Sequence, residues 1–436
     1  MAPTAPYVQS LSGSRDRLRR PAVPVALGAH GPLGPYAAYR DLRSAGPIHW
    51  DEAAFNGAWV LTTFDGVQSA LKDPRLSAHR TAGWILRREL RASGSGARLS
   101  DMQRLFSRAL LFADKPRHPQ LRALMSAPFQ PAGLAAMQRA IVEITAELLD
   151  DIDRRTAADA TFDFIDAFAK HLPLRVIGKL LGVSVEASDE LLASSIDVAG
   201  FLGSLSPTQD EASTAAEGML TLAEHLECVI AQRRFDDQGL VAALLRHHEA
   251  GRLESFEELL SQAVMMLFAG LETTRHFLGT GLYWLLQEAD RLAIAHAPQR
   301  LATAVRELLR WDSPVQYTAR RATCAFQLHG VDIQRGDLVL PLLGAANRDP
   351  GRYADAESLE LGRQVGMPIS FGAGPHFCMG AQLTLLEAEH AFSACLKRWP
   401  QLQVAAEPVW LSSPLYRGMK SLHLSRGAMS YNCSNS

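Results

Sequence analysis

The chain has 436 residues, of which 47% are hydrophobic and 21% are charged. This composition excludes an intrinsically disordered chain, because there are enough apolar side chains to form a large core. The 44 basic and 46 acidic residues leave a formal charge of -2, so no overall basic field favours nucleic acid or an anionic membrane.

The N-terminal segment does not have the pattern of a secretory signal, which needs a basic start followed by an apolar run. Residues 1–24 instead combine prolines with an arginine-rich stretch and show no regular periodicity, which predicts a flexible arm. The longest compact apolar stretch, residues 263–270, is far shorter than the roughly 18 residues of a membrane-spanning helix. The five cysteines include no closely spaced pair, a pattern typical of cytosolic thiols. We therefore expect a soluble, cytoplasmic protein without a membrane anchor.

Hydrophobic periodicity predicts a mainly helical chain. Helical patterns dominate residues 118–250, and strand-like apolar runs occur at 59–64, 326–333 and 337–343. Residues 77–110 mix apolar side chains with arginines and a Gly-Ser stretch, which predicts a long loop that covers a site. No internal repeat or linker divides the chain. The predicted fold class is mainly α with small β-sheets (α+β), in a single domain over residues 25–436.

One predicted helix is unusually long and apolar. It extends over residues 256–288, about 33 residues or roughly 50 Å, and it begins with a capping box in which Ser255 is the N-cap and Glu258 lies three residues later. Because most of its surface is apolar, we expect this helix to run through the middle of the domain.

Three polar residues lie at the centre of this helix: Glu272, Thr273 and Thr274. Threonine hydroxyls inside a helix often donate to the carbonyl four residues earlier, here Ala269 or Gly270, which is a purely structural role. A buried carboxylate is costly unless it has a partner or a function, so this role explains Glu272 less well.

A glycine-rich loop leads into Cys378 and then into a predicted helix. A cysteine at a helix N-terminus meets unsatisfied amides and the positive end of the helix dipole, which favour a thiolate. Gly372, Gly374 and Gly380 allow tight turns and the close approach of a bulky group. We expect this loop to direct peptide N–H groups at an anionic sulfur.

Three other interpretations of the loop are weaker. A strand-like PISF segment before GAG imitates a dinucleotide fingerprint, but Phe377 stands where the third glycine belongs. A zinc site at His376 and Cys378 would need a second Cys/His pair, and the sequence has none at a recognisable spacing. A buried, inert cysteine remains the default for Cys378 considered without its loop.

Two further pairs have helical spacing. Glu307 and Arg310 are separated by three residues, and such pairs are common on solvated surfaces. His118 and Arg122 are separated by four residues and could jointly bind an anion, although a solvated pair is the more frequent arrangement.

Taken in chain order, these segments resemble the cytochrome P-450 family of haem-thiolate monooxygenases from about residue 30 to the C-terminus. The segment FGAGPHFCMG, residues 371–380, matches the haem loop FxxGxxxCxG, and AGLETT, residues 269–274, matches the oxygen-groove motif of the central helix. Glu307-x-x-Arg310 matches the helix pair behind the haem, and ARRAT and ANRDP match the segments that follow. The resemblance implies the cytochrome P-450 fold over residues 25–436, with the long helix above the haem and the cysteine loop beneath it.

The resemblance also implies a cofactor site. Cys378 matches the thiolate ligand of the iron in haem b, iron protoporphyrin IX. Phe371 matches the aromatic residue that shields the sulfur, and Gly372 and Gly380 belong to the same haem-binding loop. Four side chains match positions that usually hold the haem propionates: His118, Arg122, Arg320 and His376.

Four positions on the central helix match the oxygen side of the haem. Ala269 and Gly270 leave space over the iron for O2, Thr273 matches the alcohol that hydrogen-bonds the oxygen, and Glu272 matches the neighbouring acid. An alcohol and a carboxylate are suited to relay the two protons that oxygen activation consumes. The resemblance therefore implies that Thr273 and Glu272 are catalytic.

Glu307 and Arg310 match family positions with a structural role, which is to hold the loop that carries the cysteine. The family often places a further arginine where Ser358 stands in this chain. The third member of the network is therefore not identified by the resemblance.

The resemblance to soluble bacterial members implies a monomer that receives electrons from NAD(P)H through a ferredoxin reductase and a ferredoxin. Arg117 and Arg122 are candidates for docking this acidic partner, and a merely solubilising surface is an equal alternative. Family likeness places substrate contacts in the 77–110 loop, at 201–205, 264–273 and 315–317, and near Tyr416.

The expected reaction inserts one oxygen atom from O2 into a mainly apolar small molecule, by hydroxylation or epoxidation, in bacterial secondary metabolism or catabolism. Oxidative coupling or peroxide-dependent chemistry at the same haem is one alternative. A non-catalytic haem or gas-binding protein is a second, and a nucleotide-binding dehydrogenase is a remote third.

Overall fold

The computed structural model describes residues 31–52, 54, 57–79, 96–156, 161–185, 189–205 and 207–427. The predicted N-terminal arm, residues 1–24, lies outside the described residues, as do residues 80–95 of the predicted covering loop.

Helices account for most of the described chain. They are α1 (Tyr36–Ala45), α2 (Phe64–Lys72), α3 (Gly96–Arg108), α4 (Arg117–Met125), α5 (Pro131–Arg155), α6 (His171–Leu181), α7 (Asp189–Gly203), α8 (Gln209–Ala231), α9 (Leu240–Glu249), α10 (Phe256–Leu286), α11 (Arg291–His296), α12 (Pro298–Trp311), α13 (Leu343–Ala346) and α14 (Ala381–Arg398). The mainly helical class predicted from periodicity is confirmed.

The strands are short and form small sheets. They are β1 (Ile48–Asp51), β2 (Ala58–Leu61), β3 (Leu76–Ser77), β4 (Thr161–Asp163), β5 (Arg320–Ala322), β6 (Phe326–Leu328), β7 (Val331–Ile333), β8 (Leu338–Pro341), β9 (Gln403–Val404), β10 (Val409–Trp410), β11 (Met419–Ser421) and β12 (His423–Ser425). The largest sheet has the strand order β1-β2-β8-β5-β3, with β2 and β8 parallel and the other pairs antiparallel.

Two strand predictions need correction. The run at 326–333 is a hairpin of β6 and β7, because His329 and Gly330 both have positive φ, 48° and 76°, as a tight two-residue turn requires. The PISF segment before the cysteine loop is not a strand, since residues Ile369–Phe371 form a single 3-10 turn.

The central helix α10 is present as predicted, with 31 residues, and ends two residues before the predicted boundary. Its sides contact α3, α6, α8, α12 and α14, so it runs through the middle of the domain. The capping box is only half formed. Ser255 Oγ accepts a hydrogen bond from the Glu258 amide at 3.1 Å, but the Glu258 carboxylate accepts from the Glu254 amide at 2.7 Å instead of from Ser255.

The Glu307–Arg310 pair is fully buried, not solvated. Arg310 donates to both carboxylate oxygens of Glu307, at 2.6 and 2.8 Å. The same guanidinium donates to the backbone carbonyls of Asn347, Ala356 and Ser358, at 2.9–3.0 Å. The pair thus ties α12 to the segment that follows α13.

Arg363 is the third charged member of this network. Its Nε donates to Glu307 Oε1 at 3.2 Å, while Ser358 contributes only its carbonyl oxygen. The arginine that the family often places at 358 therefore has a counterpart five residues later in this chain.

Asn347 connects the network to the cysteine loop. Its side-chain oxygen accepts from the Ile369 amide at 3.2 Å, and its Nδ2 donates to Ser370 Oγ at 2.7 Å. Because Ile369 and Ser370 immediately precede Phe371, the first residue of the matched loop, Asn347 links the buried ion pair to the start of the loop.

Replacing Arg310 with Met should lower the free energy of unfolding by at least about 3 kcal/mol, because a buried Glu307 and three buried carbonyls lose their partner. The measurement is urea-induced unfolding of the haem-loaded protein. The matched control is Arg300→Met, whose partner Asp290 is 53% exposed, and which should cost under about 1 kcal/mol. Equal costs for the two variants would contradict the assigned role of the buried pair.

Candidate functional site

A large cavity lies between α4, α6, α10 and the cysteine loop. It encloses about 1070 Å³ of empty space including its mouth, which is enough for a sizeable small molecule or cofactor. Its walls are mostly apolar, with Leu110, Leu111, Met125, Val176, Met265 and Met266 among the lining residues. A smaller set of polar side chains on several elements faces the same space.

Cys378 lines one wall of this cavity at the end of the predicted loop. The Cys378 amide donates to the Phe371 carbonyl at 2.9 Å, which closes the loop. Gly372 and Gly374 have φ of 72° and 70°, a conformation that side-chain-bearing residues rarely adopt. A Cβ on Gly374 would also lie 2.8 Å from the Leu71 carbonyl of α2, so this loop depends on glycine there.

Gly380 has a different role from the other two glycines. Its φ is -83°, so the backbone there does not require glycine, and it is the N-cap residue of α14. A Cβ built on Gly380 would lie 4.0 Å from the Cys378 sulfur, and the Gly380 amide hydrogen-bonds that sulfur. The predicted placement of the cysteine before a helix N-terminus is confirmed.

The local field alone does not make Cys378 a thiolate. Burial raises the pKa of the Cys378 thiol, and this effect outweighs the Gly380 amide and the Arg122 guanidinium, which both lower it. A bound metal cation deprotonates a coordinating thiol, so the site favours a thiolate only together with a cation. Phe371 is buried beside the loop, with its ring 6.4 Å from that of Phe377.

The residues predicted for the propionates come together from three elements. His118 and Arg122 are on α4, and the ring of His118 lies 4.1 Å from that of His376 in the cysteine loop. Arg320, on β5, does not line the cavity but lies close enough to influence His118. The structure thus groups all four predicted side chains.

Among the described residues, the positive charge of this group is only partly neutralised, by Asp114. His118 Nε2 is buried and makes no hydrogen bond to any described residue. Burial, followed by the nearby Arg122, lowers the pKa of His118. Burial lowers the pKa of Arg320 to about 10, and Asp114 only partly opposes that. An anionic group would relieve both effects, so these residues fit the carboxylates of haem.

Ala269, Gly270 and Thr273 face the cavity from α10 as predicted. Thr273 Oγ1 donates to the Ala269 carbonyl at 3.0 Å, the back-bond expected from the sequence. Gly270 has an additional packing role, since a Cβ there would lie 2.8 Å from the side chain of Ile177 on α6.

Thr274 does not make the expected hydrogen bond to the carbonyl four residues earlier. Its hydroxyl lies 3.3 Å from that of Thr384 on α14, so it connects the two helices instead of bonding back along its own. Both threonines line the cavity.

Glu272 does not line the cavity. Its carboxylate is fully buried on another face of α10, where Ser195 Oγ donates to it at 2.9 Å and Arg275 at 2.8 Å. His276 Nε2 lies 3.6 Å away. Burial raises the pKa of Glu272, whereas Arg275 and Ser195 oppose this increase. The predicted acid and alcohol are therefore neighbours in sequence but face different surroundings.

The predicted substrate segments divide into two groups. Leu110 and part of 264–273 line the cavity. The segment 201–205, Val315 and Tyr416 lie together instead, since Val315 and Tyr416 form a β-bridge and Gly203 packs against Tyr416. This second group does not line the cavity in the described structure.

The sequence analysis missed three polar cavity residues, which are Gln262, Thr384 and Glu387. Gln262 connects α10 with the chain that follows α3. Its Oε1 accepts a hydrogen bond from the Leu110 amide at 2.8 Å, and its Nε2 donates to the Arg108 carbonyl at 2.7 Å. Glu387 lines the cavity from α14. The signal available for Glu387 was an acidic residue on an otherwise apolar helix face, between Leu383 and Phe392.

No helix among the described residues is long and apolar enough to cross a bilayer. The described residues also contain no cluster of three or more His, Cys, Asp or Glu side chains able to hold a metal ion, so the zinc alternative gains no support.

Comparisons with known proteins identify the family. The family model for cytochrome P-450 matches residues 300–405. The chain is 33% identical over 394 residues to 6-deoxyerythronolide B hydroxylase of Saccharopolyspora erythraea, which covers 89% of this chain and 95% of the relative. It is also 33% identical over 406 residues to the monooxygenase PikC of Streptomyces venezuelae, which covers 91% and 92%.

Among solved structures, CxnD, a cytochrome P-450 enzyme for C–S bond formation in chuangxinmycin biosynthesis, matches with a TM-score of 0.82 at 29% identity. The match covers 94% of this chain and 98% of that one. Since the bacterial relatives are named monooxygenases and hydroxylases, the chain is a haem-dependent oxygenase that uses O2. It belongs to the cytochrome P-450 family.

Proposed function

We propose that residues 25–436 form one haem domain that inserts one oxygen atom from O2 into a mainly apolar small molecule, with Cys378 as the iron ligand. The supporting observation is that the Cys378 sulfur, the Thr273 hydroxyl and the cationic group of His118 and Arg122 all face one cavity. When bound, the haem supplies the iron chemistry that binds and activates O2. The residues of the protein would bind the cofactor, orient the substrate and deliver protons to the reaction.

The cationic group would hold the edge of the cofactor. His118, Arg122 and His376 line the cavity, and Arg320 lies behind them. Two propionate carboxylates would bring anionic acceptors to His118 Nε2 and to the guanidinium groups, which supports their assignment as cofactor-binding residues. Gly372 and Gly380 would allow the loop to approach the porphyrin face, and Phe371 would keep water from the sulfur.

Thr273 would hold and pass a proton on the oxygen side of the cavity. Its hydroxyl donates to the Ala269 carbonyl, which leaves the oxygen able to accept a hydrogen bond from water, and it would rotate to donate into the cavity. Ala269 and Gly270 have small side chains, so they leave space in the cavity beside Thr273. For Glu272 to act with Thr273, its carboxylate would have to leave Arg275 and Ser195.

The substrate would be a hydrophobic small molecule of secondary metabolism. The apolar cavity wall supports this class, and so do the relatives, which include a polyketide biosynthesis cytochrome P-450 of Bacillus subtilis at 32% identity. The corresponding products are hydroxylated or epoxidised.

The electrons would come from a ferredoxin-type iron–sulfur protein that is reduced by a ferredoxin reductase. Arg117 is ion-paired with Glu258 and Arg122 faces the cavity, so neither is a good docking residue. Lys72 is better placed, because it is exposed and its side chain passes beside Gly374 at the outer surface of the cysteine loop.

A second candidate function is oxidative coupling. The structural similarity to CxnD, an enzyme for C–S bond formation, favours this candidate. Incubation with ¹⁸O2 distinguishes the two, since a monooxygenase product carries one ¹⁸O atom whereas a coupled product carries none.

Replacing Cys378 with Ala should abolish the red-shifted absorption of the ferrous carbonyl complex, because the sulfur ligand is lost. The measurement is the carbon monoxide difference spectrum. The matched control is Cys395→Ala, a buried cysteine on α14, which should leave the spectrum unchanged. A wild-type spectrum in Cys378→Ala would exclude Cys378 as the ligand.

Replacing Thr273 with Ala should keep the haem but reduce the product formed per NAD(P)H by about tenfold or more, because proton delivery is impaired and electrons leave as peroxide. The measurement is product and hydrogen peroxide per NAD(P)H consumed. Thr280→Ala is the matched control, since Thr280 makes the same back-bond but does not line the cavity. Fully coupled turnover in Thr273→Ala would refute the assignment.

Replacing Lys72 with Glu should slow electron transfer from a reduced ferredoxin by about tenfold at low ionic strength, and added salt should shrink the difference. The measurement is the stopped-flow rate of iron reduction. Lys179→Glu, a charge reversal at an exposed lysine of α6, serves as the control. Equal effects of the two substitutions would show that only net charge matters.

A further inference from the structure

Gln262 is a buried polar residue on α10 for which the reaction described above has no role. Its side chain is fully buried and lines the cavity. It precedes Thr273 by 11 residues, or about three helical turns, so the two lie on one face of the helix roughly 16 Å apart along its axis. Gln262 therefore borders the cavity at a point remote from Thr273.

The side-chain amide of Gln262 is occupied by the protein's own backbone. Its Oε1 accepts from the Leu110 amide at 2.8 Å, and its Nε2 donates to the carbonyls of Arg108 and Glu258, at 2.7 and 3.1 Å. Both N–H groups of Nε2 thus have an acceptor. Donation to a substrate would break one of these buried hydrogen bonds, so this amide serves to hold the backbone.

Two of these hydrogen bonds flank a single residue, Ala109. The Arg108 carbonyl and the Leu110 amide lie on either side of it, and Ala109 is itself extended, with φ of -72° and ψ of 143°. The Gln262 amide therefore pairs with this stretch as the backbone of a neighbouring β-strand would. Because a contact at two points fixes both the distance and the rotation of its partner, the chain that follows α3 is held in one orientation towards α10.

The residues that follow Ala109 form part of the cavity wall. Leu110 and Leu111 both line the cavity, and Leu111 is also 41% exposed, which places it at the mouth. They begin a 3-10 turn, Leu110–Phe112, in which the amides of Phe112 and Ala113 donate to the carbonyls of Ala109 and Leu110. Since these hydrogen bonds tie the turn to Ala109, the orientation of Ala109 decides how far the two leucines reach into the cavity.

Other polar contacts between α10 and α3 are closer to the solvent. Glu257 forms ion pairs with Arg104 and Arg108, at 2.9 and 3.3 Å, but all three side chains are at least 34% exposed. Exposed ion pairs contribute little to stability. The hydrogen bonds of Gln262 are buried and satisfied, so they specify the position of the wall more strongly.

We propose that Gln262 is a positioning residue for substrate selectivity. It holds Leu110 and Leu111 at a fixed place in the wall, and these leucines limit the length of the apolar group that the cavity accepts. This role rests on the proposed function, because it treats the cavity as the place where the substrate binds. No bond of Gln262 is made or broken in the reaction.

The first test measures hydrogen exchange in the haem-loaded protein by mass spectrometry. Gln262→Met keeps a similar length but forms no hydrogen bonds, so the amides of residues 109–113 should exchange about tenfold faster. The matched control is Ser261→Ala, which removes a hydrogen bond to the Glu257 carbonyl from the adjacent buried residue and should leave this segment unchanged. Unchanged exchange at 109–113 in Gln262→Met would overturn the proposal.

The second test measures selectivity with ligands of graded length. Imidazole and its 1-butyl, 1-octyl and 1-dodecyl derivatives bind haem iron through nitrogen, and the shift of the Soret band gives each Kd without turnover. In Gln262→Met, imidazole itself should bind as it does to wild type. The ratio between the Kd values of the weakest and the tightest alkylimidazole should fall about tenfold, because the leucines no longer hold one position.

Gln262→Asn is the second variant if Gln262→Met does not fold. It keeps the amide but is one CH2 group too short to reach the chain after α3, so it should act in the same direction. Ser261→Ala should retain the dependence on chain length that wild type shows. An equal loss of affinity for imidazole and all three derivatives would show general damage to the fold and would refute the positioning role.

A double-mutant cycle tests whether Gln262 acts through the wall. Leu110→Ala should reduce the dependence on chain length in the same direction as Gln262→Met. The double variant should change it by less than about threefold more, because both substitutions remove the same constraint. Additive effects would contradict the proposal.

These measurements separate the role of Gln262 from the monooxygenase assignment, since they require bound haem but neither electrons nor O2. Wild-type dependence on chain length in both Gln262→Met and Gln262→Asn would overturn the role of Gln262 alone. A wild-type protein that forms no oxygenated product would instead overturn the proposed function.

Discussion

The ion pair between Glu307 and Arg310 is the constraint on which the geometry of the site depends. It is fully buried, and its guanidinium also binds three carbonyls in the segment 347–358. From there Asn347 positions residues 369 and 370, and the Phe371 carbonyl binds the Cys378 amide. Buried ion pairs often add little net stability compared with apolar packing. We infer that this pair is valuable because it sets the position of the sulfur relative to α10.

The cavity is electrostatically incomplete in two places, and haem complements both. Burial raises the pKa of the Cys378 thiol, so a bound cation would favour its thiolate, whereas Asp114 only partly neutralises the group of His118, Arg122 and Arg320. Haem has an iron cation at its centre and two carboxylates at its edge. One haem molecule would thus place a cation beside the sulfur and anions beside the basic group, at separate walls of the same cavity. This explains why the protein keeps polar groups buried there.

The sequence predicted those parts of the structure that depend on local patterns. The span of α10, the glycine turns around Cys378 and the shared helix face of His118 and Arg122 all follow from spacing and periodicity. Contacts between distant segments were not predictable in this way. Arg363 reaches Glu307 across 56 residues, and Thr274 reaches Thr384 across 110, so no local pattern indicated either contact. The hairpin at 326–333 was missed because His329, a non-glycine residue, adopts a positive φ.

The two buried acids near the cavity show why a motif does not by itself identify a proton donor. Thr273 and Thr274 border the cavity, whereas Glu272 lies about 100° around the helix axis from Thr273 on a face that does not border it. Burial raises the pKa of both Glu272 and Glu387, but a guanidinium and a hydroxyl oppose the increase only at Glu272. The ion-paired carboxylate of Glu272 therefore stabilises the helix that carries the alcohol, and its position in the motif does not make it the proton donor.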